Sequence, residues 1–149
     1  MTEIRAIAAV DRIAWQDLWD AYLVFYESEL PGAVSEDVFT RLVIGDGLYG
    51  AIAWSDNGEP LGLVHWLFHP STWSLTSYCY LEDLYVSPAA RGAGIGRELI
   101  AHVNAAARDA GASKVYWLTH ESNAGAQVLY DRVADRTGFI HFEQIVAED

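Results

Sequence analysis

Residues 80–97 of this sequence, YLEDLYVSPAARGAGIGR, decide the fold that the whole chain predicts. They indicate a strand that ends at Ser87-Pro88, a turn with glycines at positions 92, 94 and 96, and then the start of a helix. Glycines let backbone N–H groups approach an anion without obstruction by a Cβ atom, and a helix start adds unpaired N–H donors and a positive dipole end. The stretch therefore predicts a site for a phosphate or pyrophosphate group.

The glycine spacing argues against the common nucleotide-binding turns. A dinucleotide-binding turn has the pattern G-x-G-x-x-G, but Arg97 stands where its last glycine would be. A P-loop needs Gly-Lys followed by Ser or Thr, which this turn lacks. The pattern that does fit is Q/R-x-x-G-x-G/A, matched by Arg91, Gly94 and Gly96.

Working outward from this turn, hydrophobic periodicity and turn signals predict a mixed α/β domain with the order β-α-α-β-β-β-α-β-α-β. Asp11 is predicted to cap the first helix, and Asp56-Asn57-Gly58 predicts the turn of a hairpin. The predicted strands are 4–9, 48–54, 61–68, 77–86, 114–119 and 139–146, and the predicted helices follow Asp11, Ser35, Gly94 and Asn123.

Length and composition fit one domain over residues 1–149, with 52% hydrophobic and 20% charged residues and no visible linker. One cysteine, Cys79, excludes an internal disulfide framework and a multi-cysteine metal site. No run of 18 apolar residues predicts a membrane span, and the N-terminus lacks the layout of a signal peptide. We therefore expect a cytoplasmic protein.

The net charge of -12 argues against nucleic acid or an anionic membrane as a partner. The charge is uneven, because residues 91–136 hold six basic and five acidic residues while the rest holds three basic and 16 acidic ones. The balance is thus +1 around the glycine turn and -13 elsewhere. This split is either a solvated acidic surface or the mark of an anionic ligand in one part and a cationic ligand in the other.

The sequence resembles the GNAT superfamily of acetyl-CoA-dependent N-acetyltransferases. The strand 81–86, the turn Arg-Gly-x-Gly-Ile-Gly and the following helix resemble its acetyl-CoA motif, and Asn123, Ala126, Leu129 and Tyr130 match its second motif, N-x-x-A-x-x-L-Y. Tyr80-Leu81-Glu82-Asp83 is similar to the spermidine/spermine acetyltransferases and to the yeast group that acetylates histones and polyamines. The resemblance implies a mostly antiparallel central sheet flanked by helices, with acetyl-CoA as cosubstrate and no metal.

The resemblance also implies roles for individual residues. Glu82 is the expected general base, with Asp83 a weaker rival because adjacent strand residues face opposite ways. Tyr130 is the expected general acid, and Asn123 is expected to cap its helix and meet the pantetheine arm. The remaining cofactor-binding positions are the backbone of Leu84, Tyr85 and Val86 and the turn residues Arg91, Gly92, Ala93, Gly94, Ile95, Gly96 and Arg97.

The predicted function is transfer of acetyl from acetyl-CoA to a primary amine, by direct attack in a ternary complex. The acceptor is expected to be a small cationic amine, because aromatic and acidic residues together suit a protonated amine. The alternatives are a lysine acetyltransferase of proteins or peptides and a non-catalytic CoA-binding module. His65 and His69 are expected to pack or to line the substrate mouth, and a homodimer follows from family habit.

Overall fold

A computed structural model describes residues 2–147 of the chain. Its strands are β1 (Glu3–Ala6), β2 (Tyr49–Trp54), β3 (Pro60–His69), β4 (Tyr78–Val86) and β5 (Val115–Tyr116). Its α-helices are α1 (Arg12–Phe25), α2 (Gly32–Ile44), α3 (Ile95–Asp109) and α4 (Ala124–Val133). The chain divides into two compact units, one ending at Trp117 and the other beginning at Leu118.

The first unit holds a five-stranded sheet in the order β1-β2-β3-β4-β5. Neighbouring strands run antiparallel, except that β4 and β5 run parallel. The predicted hairpin is confirmed, since Tyr49 of β2 pairs with Trp66 of β3 and Ala53 pairs with Gly62. The predicted class, a mixed and mostly antiparallel sheet flanked by helices, is therefore confirmed.

Helices cover both faces of the sheet. On β3, Leu63 belongs to a buried cluster with Trp15 and Trp19 of α1 and with residues of α2. Gly62, its neighbour, lies against Leu99 of α3. Because adjacent strand residues point to opposite faces, α1 and α2 pack on one face and α3 packs on the other.

Helix α1 shows how the sequence builds this packing. Its buried residues Leu18 and Trp19 lie three and four positions after Trp15, so the three side chains form one stripe on the helix. Asp11 precedes the helix as predicted, but its carboxylate accepts a hydrogen bond from the N–H of Ala8 at 2.8 Å and does not cap α1. No helix of the described chain is long and apolar enough to cross a membrane.

Two strand predictions need correction. The fifth strand was expected over residues 114–119, but only Val115 and Tyr116 pair with a neighbour. The closing strand expected over 139–146 is wrong, because these residues belong to no strand. Alternating apolar residues favour a strand only where a partner is available for the backbone, and within residues 2–147 no ladder includes this segment.

Candidate active site

The glycine turn forms the start of α3. Gly92 and Gly94 have φ angles of +87° and +81°, which L side chains rarely adopt, and a Cβ at either position would have no atom within 4 Å. Backbone conformation, not lack of space, therefore requires glycine here. Gly94 is the N-cap of α3, so the first N–H groups of the helix lack carbonyl partners within it. The turn thus fits the phosphate groups of acetyl-CoA chemically.

Arg91 ties this turn to the end of β4. Its Nε donates a hydrogen bond to the carbonyl oxygen of Val86 at 3.0 Å. The guanidinium also lies over the rings of Phe25 and Tyr85, at 5.7 Å and 5.9 Å from their centroids. These contacts hold the turn against both β4 and α1.

One edge of β4 is open next to the turn. On its β5 side, β4 pairs only through Cys79 with Val115 and Tyr80 with Tyr116. After Tyr80, no strand of residues 2–147 pairs with β4 on that side. The backbone groups of Leu84, Tyr85 and Val86 lie in this unpaired segment, where they can bind an extended ligand.

Glu82 occupies a β-bulge in β4. His65 of β3 pairs with Asp83 and Trp66 pairs with Leu81, so Glu82 is an extra residue without a partner opposite it. A bulge disturbs the alternation of side chains, and both Glu82 and Asp83 line one cavity. The expectation that they face opposite ways is therefore wrong, and the two carboxylates act on each other.

A buried hydrogen-bond chain holds Asp83. The indole N–H of Trp15 donates to His65 Nε2 at 3.0 Å, and His65 Nδ1 lies 2.9 Å from Asp83 Oδ2. Since an indole N–H can only donate, Nε2 accepts and the ring proton sits on Nδ1, which donates to Asp83. His65 is thus the neutral tautomer in this arrangement.

Tyr22 of α1 supplies a second donor to Asp83. Burial first, and then the charge of Asp83 and a hydrogen bond to it, raise the pKa of Tyr22 well above its usual value. The phenol therefore stays protonated and donates to the carboxylate. Asp83 is therefore bonded to side chains from both β3 and α1.

These surroundings change the acidity of Glu82. Partial burial raises the pKa of Glu82, and the neighbouring Asp83 carboxylate raises it further. A positive charge on His65 acts the other way and lowers it. Although Glu82 lies exposed at the cavity rim, its pKa moves toward neutral pH, as a general base requires.

Sequence reasoning missed a tyrosine pair near Glu82. The ring centroids of Tyr80 and Tyr116 are 5.0 Å apart, and a hydrogen bond of 2.7 Å joins His69 Nε2 to the Tyr116 hydroxyl. Burial and then the charge of Glu82 raise the pKa of Tyr80 to about 12, and the same causes raise that of Tyr116. The sequence did contain a signal for Tyr80, because this residue lies two positions before Glu82 on the same predicted strand.

The cavity beside Glu82 and Asp83 has a volume of about 200 Å³. Its remaining wall includes Trp19 and aliphatic side chains from α2 and from the loops on either side of it, which are Leu30, Val38, Leu42 and Leu48. Cys79, as expected, is a buried strand residue, and burial raises its thiol pKa to about 11. A thiol in that state is a poor nucleophile.

Asn123 and Tyr130 belong to the second unit. Asn123 is the N-cap residue of α4, but its side chain donates to the hydroxyl of Thr119 at 3.2 Å and does not cap the helix. The expected side-chain cap is therefore wrong, while the N-cap position is right. Tyr130 lies half-buried in the last turn of α4.

Comparison with known proteins adds to this geometry. Residues 13–134 match the model of the acetyltransferase (GNAT) family. The chain is 35% identical over 143 residues to the D-amino-acid N-acetyltransferase HPA3 of Saccharomyces cerevisiae, covering 95% of this chain and 89% of that protein. It is 35% identical over 86 residues to a thialysine N-epsilon-acetyltransferase of Caenorhabditis elegans, covering 58% of this chain and 52% of that one.

A solved structure shows the same fold. The aminoglycoside N-acetyltransferase AAC(6')-Iy in complex with CoA superposes with a TM-score of 0.85 at 18% identity, covering 99% of this chain and 96% of that one. Glycine turn, open strand edge and family match agree, and the chain therefore belongs to the GNAT family of N-acetyltransferases.

Proposed function

We propose that this enzyme transfers acetyl from acetyl-CoA to a small cationic amine, which attacks directly while both substrates are bound. The bulge in β4 carries this proposal, because it sets the Glu82 and Asp83 carboxylates side by side at one cavity. Two carboxylates attract a protonated amine, and one of them has a pKa raised toward the range of a general base.

In this proposal Glu82 takes a proton from the bound ammonium, so that the neutral nitrogen can attack. The new bond joins that nitrogen to the acetyl carbonyl carbon, and the bond to sulfur breaks. Tyr130 gives its proton to the leaving thiolate, and the second proton that the nitrogen then loses restores the Tyr130 phenol. Asn123 meets the pantetheine arm. Acetyl-CoA supplies the activated acetyl group as a thioester.

The chain's own groups supply the binding of that cosubstrate. The backbone of Leu84, Tyr85 and Val86 at the open edge of β4 is proposed to pair with pantetheine, and one N–H there is proposed to polarise the thioester carbonyl. The turn from Arg91 to Arg97 (Arg91, Gly92, Ala93, Gly94, Ile95, Gly96 and Arg97) is proposed to hold the pyrophosphate.

A small acceptor is favoured over a protein lysine. The names of the relatives include a D-amino acid, thialysine and aminoglycosides, which are all small amines. The cavity of about 200 Å³ also matches a small molecule. Acetylation of a lysine-containing peptide at the same rate as small amines would contradict this part of the proposal.

The direct test is release of CoA thiol from acetyl-CoA with a panel of amines. We expect saturable release with at least one amine, and a loss of about 10²-fold or more in kcat/KM for Glu82→Gln. Asp20→Asn is a matched control, because this exposed carboxylate lies on α1 and accepts a hydrogen bond from Gln16 at 2.8 Å. CoA binding without thiol release on any amine would contradict the proposal.

We also propose that the protein is a homodimer. Five large apolar side chains near the C-terminus are exposed, namely Phe139, Ile140, Phe142, Ile145 and Val146. Such a patch favours burial against a partner. Light scattering at the outlet of a sizing column should give a particle mass of twice the chain mass for the wild type. Phe142→Glu should lower this mass toward that of one chain. A single domain over 1–149, a cytoplasmic location and the absence of nucleic-acid or membrane partners stay predictions.

A further inference from the structure

We infer that the cavity beside Glu82 and Asp83 selects primary amines with a short apolar tail and rejects acceptors that carry a carboxylate. This inference rests on the proposed function and names its substrate class. The inferred acceptors differ from the substrate in the name of the yeast relative, because a D-amino acid carries a carboxylate next to its amine.

Two carboxylates line the cavity. Asp83 accepts from His65 at 2.9 Å and from the phenol of Tyr22, so both donors hold its carboxylate in place. A carboxylate has about four acceptor sites, so Asp83 keeps room for an ammonium group. Glu82 stands next to it on the bulge and receives the proton.

The described residues that line the cavity include no Lys or Arg to offset these two carboxylates. His65 is part of the lining, and its Nδ1 is bonded to Asp83. The arginines of the covering helices are engaged elsewhere. Arg41 of α2 donates to the carbonyl oxygen of Asp46 at 3.1 Å, and Arg12 of α1 bonds Gln16 and lies over the ring of Phe39.

Much of the remaining lining is apolar. Leu30, Val38, Leu42 and Leu48 line the same cavity as the carboxylates. A second ammonium or a carboxylate placed there would lose water without finding a partner, and a carboxylate would also be repelled by Asp83 and Glu82. An alkyl or aryl group of side-chain size meets neither cost.

The test compares acceptors that differ only by the carboxylate. Thiol release is measured with 2-phenylethylamine against D- and L-phenylalanine, and with 3-methylbutylamine against D- and L-leucine. We expect kcat/KM to be roughly 100-fold or more higher for each amine than for its amino acid, because Asp83 and Glu82 would repel the carboxylate of the amino acid. Equal or faster reaction of the amino acids would overturn the inference while leaving acetyl transfer established.

An added charge sharpens the test. Leu30 lines the cavity but is 43% exposed, so a polar substitution there is compatible with folding. Leu30→Gln makes the wall polar without adding a charge, and Leu30→Arg should narrow the preference for the amine over its amino acid by a further 10-fold or more. If both variants shift the preference equally, electrostatic selection by this cavity is wrong. Failure of every acceptor would instead refute the proposed function.

Discussion

Replacing Trp15 by Phe tests the link between the buried hydrogen-bond chain and Glu82. The change keeps an aromatic ring in the core but removes the N–H that donates to His65 Nε2 at 3.0 Å. Trp15 is fully buried and His65 is 4% exposed, so Nε2 would lose its partner away from water. The indole N–H then no longer opposes a proton at Nε2, and a positive charge on His65 lowers the pKa of Glu82.

The size of the stability effect follows from the same contacts. An unpaired buried acceptor and the lost ring volume together cost about 2–4 kcal/mol. For a chain of 149 residues this lowers Tm by roughly 5–15 °C. In the assay, the acid limb of the pH profile of kcat/KM should move to lower pH, because this limb reports deprotonation of the base.

Trp19→Phe is the matched control. Trp19 is also buried, stacks on Trp15 at 5.7 Å, and donates its N–H to Ser35 at 3.1 Å. It should lose similar stability, but His65 and Asp83 keep their bonds and the acid limb should stay in place. If Trp15→Phe lowers Tm and leaves the acid limb where it is in the wild type, the proposed coupling is wrong.

Three further predictions use single changes. Tyr130→Phe should lower kcat about 100-fold with little change in the KM for acetyl-CoA, and unchanged turnover at saturation would exclude the acid role. Glu82→Gln should raise Tm at pH 7–8. The pKa of Glu82 is raised in the folded state, so the wild type loses stability as the pH rises through that pKa, and the uncharged Gln avoids this loss. Below pH about 4, where Glu82 is protonated in both states, the difference in Tm should vanish. Gly94→Ala should raise the KM for acetyl-CoA and lower the free energy of unfolding by about 1–2 kcal/mol, because alanine is strained at φ +81°. Gly125→Ala should instead stabilise the protein, because Gly125 lies within α4, where alanine is the better helix former.

The glycine turn could be predicted from the sequence because its conformation is local. Gly92 and Gly94 adopt positive φ within four residues of the helix that they begin, and glycine is the residue type that such a backbone selects. The hairpin of β2 and β3 was predictable for the same reason, since a short turn sets its register. These features need no knowledge of distant partners.

The site around Glu82 depends on distant partners and could not be predicted in detail. Trp15 and His65 are 50 positions apart, and their bond exists only because α1 packs over β3. The bulge at Glu82 arises from the pairing of β3 with β4, which alternation along one strand does not reveal. The closing strand failed for a related reason, because residues 139–146 have the composition of a strand but no ladder among residues 2–147.

The aromatic residues of α1 gain a second role from this arrangement. Two adjacent carboxylates repel each other, and Asp83 is mostly buried, so the pair is stable only where donors surround it. Tyr22 donates to Asp83 directly, and Trp15 does so indirectly by holding His65 in the one tautomer whose Nδ1 can donate. Trp15 thus has two structural tasks, because the indole fills the core and its N–H occupies His65 Nε2. In the proposed mechanism this matters because the charge of Asp83 raises the pKa of Glu82, whereas a positive charge on His65 lowers it.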